Sequence, residues 1–268
     1  MRRREGTPLR IALNQMLSDS DPRRNLEIIE AGIAEAAGHQ ADLVVFPEAA
    51  MARFGTPLAA VAEPLKGPWA EAVRAMSARA GLTVVVGMFT PGDGGRVRNT
   101  LLITGPGVDT HYDKIHLFDA LGYTESETVA PGRQPVTFQL NGLTFGVATC
   151  YDVRFPSLFH ELAARGAQAI LLPASWADGP GKADQWDVLV RARALDSGAW
   201  VLACDQASPR SIGRDPGTEP LGIGRSMAVS PSGEVRHQLD AAPGLLIVDL
   251  HTTELSASPR CVAGRRGA

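Results

Sequence analysis

The sequence predicts an α/β architecture of mixed sheets faced by helices, and three features of the chain point to it. Strand-like and helix-like periodicities alternate along its length. Two strand candidates, Leu43-Val44-Val45-Phe46 and Ala169-Ile170-Leu171-Leu172, are unbroken apolar runs, as expected of strands covered on both faces. The 268 residues, 44% of them apolar, suffice to bury a substantial core without disulfides or a structural metal. No linker interrupts the chain, so residues 1–268 read as one domain, with loose ends at 1–8 and 263–268.

The first strand reads as Leu9 to Gln15. Asp21-Pro22 then supplies an N-cap and a first-turn proline for an amphipathic helix through Ala37. The second strand, Asp42 to Phe46, stops at Pro47-Glu48, and a helix from Trp69 to Ala80 with a strand from Leu82 to Met88 repeats the unit. After the break at Gly92 to Gly95, strands near Asn99 to Thr104 and Asp109 to Asp113 form an antiparallel hairpin. In the second half, strands at Val136 to Gln139 and Leu143 to Thr149 precede a helix from Pro156 to Arg165 and the strand Ala169 to Leu172. A helix from Ala183 to Ser197 follows. The remaining strands are Trp200 to Asp205, Arg225 to Val229, Val235 to Leu239 and Leu245 to Leu250, with a turn at Ser230-Pro231-Ser232-Gly233.

Composition narrows the function classes. The net charge is -3 and the basic residues are dispersed, without the stripe that a phosphate backbone demands, so nucleic acid is not an expected partner. Cys150, Cys204 and Cys261 cannot all pair within one chain and lack the close spacing of zinc ligands, which points to a reducing, cytoplasmic setting and to no metal. Arg2-Arg3-Arg4 resembles the start of an export signal, but Asn14 and Gln15 interrupt the apolar stretch behind it, so it reads as a solvated arm. No apolar run approaches the ~20 residues that span a bilayer, and no membrane partner is expected.

Three local sequences carry chemistry. In Val44-Val45-Phe46-Pro47-Glu48 a buried strand runs straight into a carboxylate, placing Glu48 at a strand's carboxyl end, where open α/β sheets put their sites. An ordinary loop glutamate is the alternative. In Tyr112-Asp113-Lys114-Ile115-His116-Leu117-Phe118 a lysine sits among apolar residues, and a buried lysine requires a nearby carboxylate; an edge-strand lysine facing water is the alternative. His116 reads as a hydrogen-bonded packing residue. In Phe145-Gly146-Val147-Ala148-Thr149-Cys150-Tyr151-Asp152-Val153-Arg154-Phe155-Pro156 a strand delivers Cys150 to a sharp turn before a proline opens a helix, exposing the thiol near backbone N–H groups. Cys204 and Cys261 read as small buried hydrophobes.

Together these segments resemble the three signature blocks of the nitrilase superfamily of carbon-nitrogen hydrolases. The closer likeness is to its Nit branch, which includes omega-amidase and deaminated glutathione amidase. Gly122-Tyr123-Thr124-Glu125-Ser126, Pro173-Ala174-Ser175-Trp176 and Trp186 with Arg191-Ala192-Arg193-Ala194 extend the resemblance over nearly the whole chain. It implies a four-layer αββα sandwich, a Glu48-Lys114-Cys150 catalytic group with Glu125 as a second active-site glutamate, and a homodimer or higher homo-oligomer. In two places the chain departs from the family pattern: Arg225 stands where many relatives have His, and Ser157 where Glu commonly follows Arg-Phe-Pro.

The chemistry expected of such a group is hydrolysis of a small linear amide through a Cys150 thioester. Glu48 is the general base, Lys114 and the Tyr151 backbone N–H stabilise the oxyanion, and no metal or organic cofactor is needed. A nitrilase acting on R-C≡N, which would use the same nucleophile, and a catalytically silent binding protein on the same scaffold are the competing readings. Arg154 and Arg191 are candidates for a substrate carboxylate, though a structural pairing is favoured for each. Trp176 is read evenly as pocket wall and as packing.

Overall fold

The protein is described by a computed structural model that covers residues 8–251 except 121 and 218. Cys261, the basic tail and the N-terminal arm lie outside the described residues.

The first sheet uses β1 (Leu9–Gln15), β2 (Leu43–Val45), β3 (Thr83–Pro91), β4 (Val97–Gly105) and β5 (Val108–Asp113). A two-stranded ribbon, β6 (Asp119–Ala120) with β7 (Tyr123–Thr124), precedes the second sheet. That sheet contains β8 (Thr137–Leu140), β9 (Leu143–Val147), β10 (Ala169–Ala174), β11 (Trp200–Asp205), β12 (Met227–Val229) and β13 (Val235–Gln238). Strand β14 (Gly244–Leu250) returns to pair antiparallel with β1, so the two six-stranded sheets run β14-β1-β2-β3-β4-β5 and β13-β12-β11-β10-β9-β8.

The helices are α1 (Pro22–Gly38), α2 (Leu58–Val61), α3 (Pro68–Ala80), α4 (Pro156–Ala164) and α5 (Lys182–Ser197). Period-2 alternation sorts the strands' side chains between layers. Leu13, Val45, Val85 and Leu101 face Val147, Leu171 and Leu202 across the space between the sheets. The opposite faces of the first sheet, Ala12, Val44 and Val84, pack on Ile29 and Ile33 of α1 and Trp69 and Val73 of α3. Ile170, Leu172 and Val201 likewise pack on Phe159 of α4 and Trp186 and Val190 of α5. The result is the four-layer αββα sandwich, in which each fully buried Leu, Val or Phe contributes roughly 1.5–3 kcal/mol. Cys204 is buried between the sheets as expected of a small apolar residue, its Sγ 3.2 Å from the Val45 carbonyl.

Element ends follow local chemistry. Asp21 caps α1 by accepting from the Arg23 N–H, with Pro22 in the first turn. Gly81 closes α3 at φ 69°, a left-handed conformation that glycine adopts without a Cβ penalty. The strand expected from Arg225 begins only at Met227, because Arg225 itself takes φ 62°. The strand expected to reach Thr149 ends at Val147, where the chain turns into a 3₁₀ segment, Cys150–Arg154. Helix α2 and the β6–β7 ribbon are too short to show a periodicity in sequence. Among the described residues no helix is long and apolar enough to cross a membrane.

Candidate active site

Strands β2, β5, β9 and β10 all deliver the residues that follow them to one rim of the sandwich, their carboxyl ends. Glu48 follows β2, Lys114 follows β5, Cys150 follows β9, and Ser175 and Trp176 follow β10. These residues, with Glu125, Tyr151, Lys182 and the apolar walls Phe54, Phe118, Tyr123 and Pro220, line a cavity of about 350 Å³, part of it open to solvent.

The turn carrying Glu48 is pressed against β3. A Cβ at Gly87 would lie 2.7 Å from both the Ala49 nitrogen and the Pro47 carbonyl oxygen, and 2.9 Å from the Glu48 Cα. All three are backbone atoms, so any side chain at Gly87 displaces the turn. Because a misplacement of about 1 Å near reacting groups costs on the order of 100-fold in rate, Gly87→Ala is expected to lower kcat/KM by about 10- to 100-fold while the far-ultraviolet circular dichroism spectrum stays native. An unchanged rate would mean that the turn's position is not critical.

Glu48 is wholly buried and its carboxylate is fully engaged. Oε1 accepts from Lys114 Nζ at 2.9 Å and from Asn99 Nδ2 at 2.7 Å, and Oε2 accepts from the Ser175 N–H at 2.9 Å. Burial raises its pKa above the ordinary carboxylate value; Lys114 opposes this and Glu125 adds to it. Lys114, also buried, donates at 2.8 Å to Glu125 Oε2 as well. Burial disfavours its charge, but the two carboxylates outweigh that and hold its pKa well above the usual lysine value. Two of the three ammonium N–H groups are thus spoken for, which leaves one for a substrate. Glu125 is fixed in turn by the Phe118 N–H at 2.7 Å and by Asn99 Nδ2 at 3.2 Å.

Cys150 is presented by strain, but the exposed thiol expected from the sequence is a correction: the residue is buried, 8% exposed, at the cavity wall. It takes φ 46°, a conformation few non-glycine residues adopt, at the first position of the turn after β9. Its Sγ lies 3.8 Å from the Ser175 carbonyl oxygen. Burial, and next the negative charge of Glu48, push the thiol's pKa well above its usual value, with Lys114 pulling the other way. The resting group is a neutral thiol beside a base.

Asp152 locks the Cys150 turn to the lysine segment. It accepts from the Thr149 N–H at 2.8 Å, the Tyr112 hydroxyl at 2.6 Å and the His116 N–H at 3.0 Å. The His116 ring lies 2.7 Å from the same carboxylate and stacks on Phe155, so it is a packing and hydrogen-bonding residue, as its sequence context suggests.

The structure therefore brings Glu48, Lys114, Cys150, Glu125, Tyr151 and Trp176 together. Trp176 serves both readings: it walls the cavity, yet its indole packs against Trp186 and donates to the Lys182 carbonyl. Arg154 sits just behind that wall, over the Tyr151 and Trp176 rings at 5.7 and 5.4 Å, and bonds Gln185 rather than an acid. Arg191 is a correction, because it does not reach the cavity. Nine residues, about two and a half helical turns, separate it from Lys182, so it lies on the opposite face of α5, exposed, donating to the Gly233 carbonyl. Of the two departures, Arg225 pairs with Asp187 of α5, and Ser157 is exposed in the first turn of α4.

Two residues at the site, Asn99 beside the glutamates and Lys182 in the cavity wall, escape the sequence reading. Asn99 bridges the two glutamates, and its signal was an amide in strand β4, which must find partners when buried. Lys182 opens α5, an end where the helix dipole disfavours a cation. That misplacement was its signal.

The family model described as carbon-nitrogen hydrolase matches residues 10–260. The chain is 50% identical to Hydrolase Rv0480c of Mycobacterium tuberculosis, over 93% of this chain and 92% of that one. It is 33% identical to the deaminated glutathione amidase of Escherichia coli O157:H7, over 80% of this chain and 83% of that one. A variant of the Nesterenkonia sp. AN1 amidase, solved with the acetamide moiety of fluoroacetamide added to its active site cysteine, superimposes with a TM-score of 0.78 at 25% identity, covering 95% of each chain.

Proposed function

The chain belongs to the carbon-nitrogen hydrolase family, and from that premise we propose that it hydrolyses a small linear amide to carboxylate and ammonia through a thioester on Cys150. The observation that carries this reading is the convergence of a buried carboxylate, a carboxylate-held ammonium and a strained cysteine at one cavity.

Substrate enters with its carbonyl oxygen toward the free N–H of Lys114 and the Tyr151 backbone N–H. Glu48 takes the thiol proton as Sγ bonds the amide carbon, and the resulting oxyanion is held by those two donors, each worth ~3 kcal/mol in comparable sites. The protonated Glu48 passes its proton to the departing nitrogen, which leaves as ammonia. Water then attacks the thioester with Glu48 again as base, and collapse of the second tetrahedral intermediate releases the carboxylate and restores the thiol. Glu125 and Asn99 keep Lys114 and Glu48 in register throughout.

The test is ammonia release from a primary amide compared with the matching nitrile. The amide is expected to be turned over at least about 10-fold faster, since both substrates need the same nucleophile and differ in how the leaving nitrogen is protonated. Faster release from the nitrile would replace this reading with a nitrilase.

A further inference from the structure

Strand β11 ends on an acid that the reaction as written does not use. Asp205 is wholly buried and has no ion-pair partner among the described residues. Its carboxyl group accepts from backbone N–H groups instead, Oδ1 from Trp176 at 2.8 Å and Oδ2 from Ile223 at 2.9 Å. Burial raises its pKa well above the ordinary carboxylate value, and the Ile223 and Trp176 N–H groups oppose that. A donor at each oxygen is the pattern that an ionised carboxylate satisfies, since it only accepts. A buried carboxylate without a cation is costly. Both of its contacts go to segments that carry cavity groups: Ser175-Trp176, and the run from Pro220 to Ile223.

The first contact reaches the reacting groups through one peptide. The Trp176 N–H and the Ser175 carbonyl belong to the same planar trans unit, in which the two bonds point opposite ways. With the N–H held by Asp205, the carbonyl faces Cys150 Sγ at 3.8 Å, while the Ser175 N–H holds Glu48 Oε2 at 2.9 Å. Ser175 therefore touches both nucleophile and base, and Asp205 holds it from behind. The second contact ties down the cavity wall that carries Pro220. That segment is pressed onto the end of β11, where a Cβ at Gly222 would overlap the Gln206 carbonyl oxygen. It also has a tie to β11's end of its own, from the Gly224 N–H to the Gln206 carbonyl at 2.8 Å. The Trp176 N–H has only Asp205.

Resting on the amidase reading above, we propose that Asp205 is a positioning residue of the reaction: it sets the Ser175 backbone that aims the Cys150 thiol and the Glu48 carboxylate at each other. It touches no substrate. Its loss lets the Ser175-Trp176 peptide turn, which shifts the thiol relative to the base and slows transfer of the Sγ proton to Glu48. The wall keeps its Gly224 tie, so binding suffers less than turnover.

Asp205→Asn and Asp205→Ala are compared with wild type and with Cys204→Ala, a neighbouring change that falls between the sheets and away from the cavity. Asn keeps the shape and one acceptor oxygen, with its NH₂ facing the other N–H, and Ala keeps neither acceptor. On butyramide, kcat is expected to fall about 10-fold in Asp205→Asn and about 100-fold in Asp205→Ala, with KM changed less than about 3-fold. Alkylation of Cys150 by iodoacetamide, which needs the thiol and its base but no amide, should slow in the same order. Cys204→Ala should keep the wild-type kcat and alkylation rate even where it melts as low as the Asp205 variants.

Alkylation at the wild-type rate in the folded Asp205 variants overturns the proposal, whether the loss falls on KM, on kcat or on neither. So does an unchanged kcat. An Asp205→Asn protein that does not fold overturns it too, because the acid would then hold the fold and not the reacting groups. If wild type releases no ammonia from butyramide, that result bears on the amidase reading alone, and Asp205 is judged by the alkylation rates.

Discussion

Cys150→Ala is expected to abolish ammonia release, by at least about 10⁴-fold, in a protein that folds and melts almost as wild type does. The loss is large because no other group at the cavity can form the covalent intermediate. Lys114 is held protonated by its two carboxylates, and Ser175 spends its hydroxyl on the Pro220 carbonyl. The fold survives because the change removes one sulfur from a site that already tolerates φ 46°, at a cost of about 1 kcal/mol. Cys204→Ala makes the complementary control: its sulfur lies between the sheets, so the variant should lose stability by about 1–2 kcal/mol and keep its turnover number. Iodoacetamide should inactivate wild type in step with one adduct, which peptide mapping assigns to Cys150. Turnover above background in Cys150→Ala would mean that the reaction needs no thioester.

The fold was legible because its strands are either unbroken apolar runs or clean alternations, and because Asp21-Pro22, Gly81 and Gly198 punctuate the helices with unambiguous chemistry. Glu48, Lys114 and Cys150 were legible for a related reason: each stands where an apolar strand ends, and that is where the sandwich gathers its strand ends at one rim. Residues such as Asn99, Gly87 and Lys182 could not be placed in the same way. Their roles depend on which strand lies beside which, and only the β3–β4 pairing and the approach of α5 to β10 bring them to Glu48 and Trp176. Arg191 failed for a converse reason. It matches a motif, but the helical rotation that buries its neighbours Val190 and Arg193 turns it outward.

The two glutamates should separate cleanly by substitution. Glu48→Gln removes the group proposed to accept the thiol proton, and the neighbouring thiol is held neutral by burial, so acylation itself should fail, with kcat/KM falling by about 10³- to 10⁴-fold and no acyl-enzyme detectable by intact mass. Glu125→Gln leaves that base in place. Its amide oxygen can still accept from Lys114 and from the Phe118 N–H, so acylation continues more slowly, by about 10- to 100-fold, and thioester accumulates if the water step suffers more. The pH profiles add a second discriminator. Burial first, and then the negative charge of Glu125, raise the pKa of Glu48. Only ionised Glu48 can act as base, so wild-type activity is lost as pH falls through that raised value, and the acid limb lies above the ordinary carboxylate range. Removing the charge at position 125 lets Glu48 ionise more easily, which moves the acid limb of Glu125→Gln toward lower pH. A glutamate engaged only in an exposed ion pair, worth ~0–1 kcal/mol, would leave both the rate and the limb unchanged, but Glu125 is 1% exposed and bonded to three partners. An acyl-enzyme accumulating in Glu48→Gln, together with no reaction in Glu125→Gln, would exchange the two assignments and make Glu125 the base.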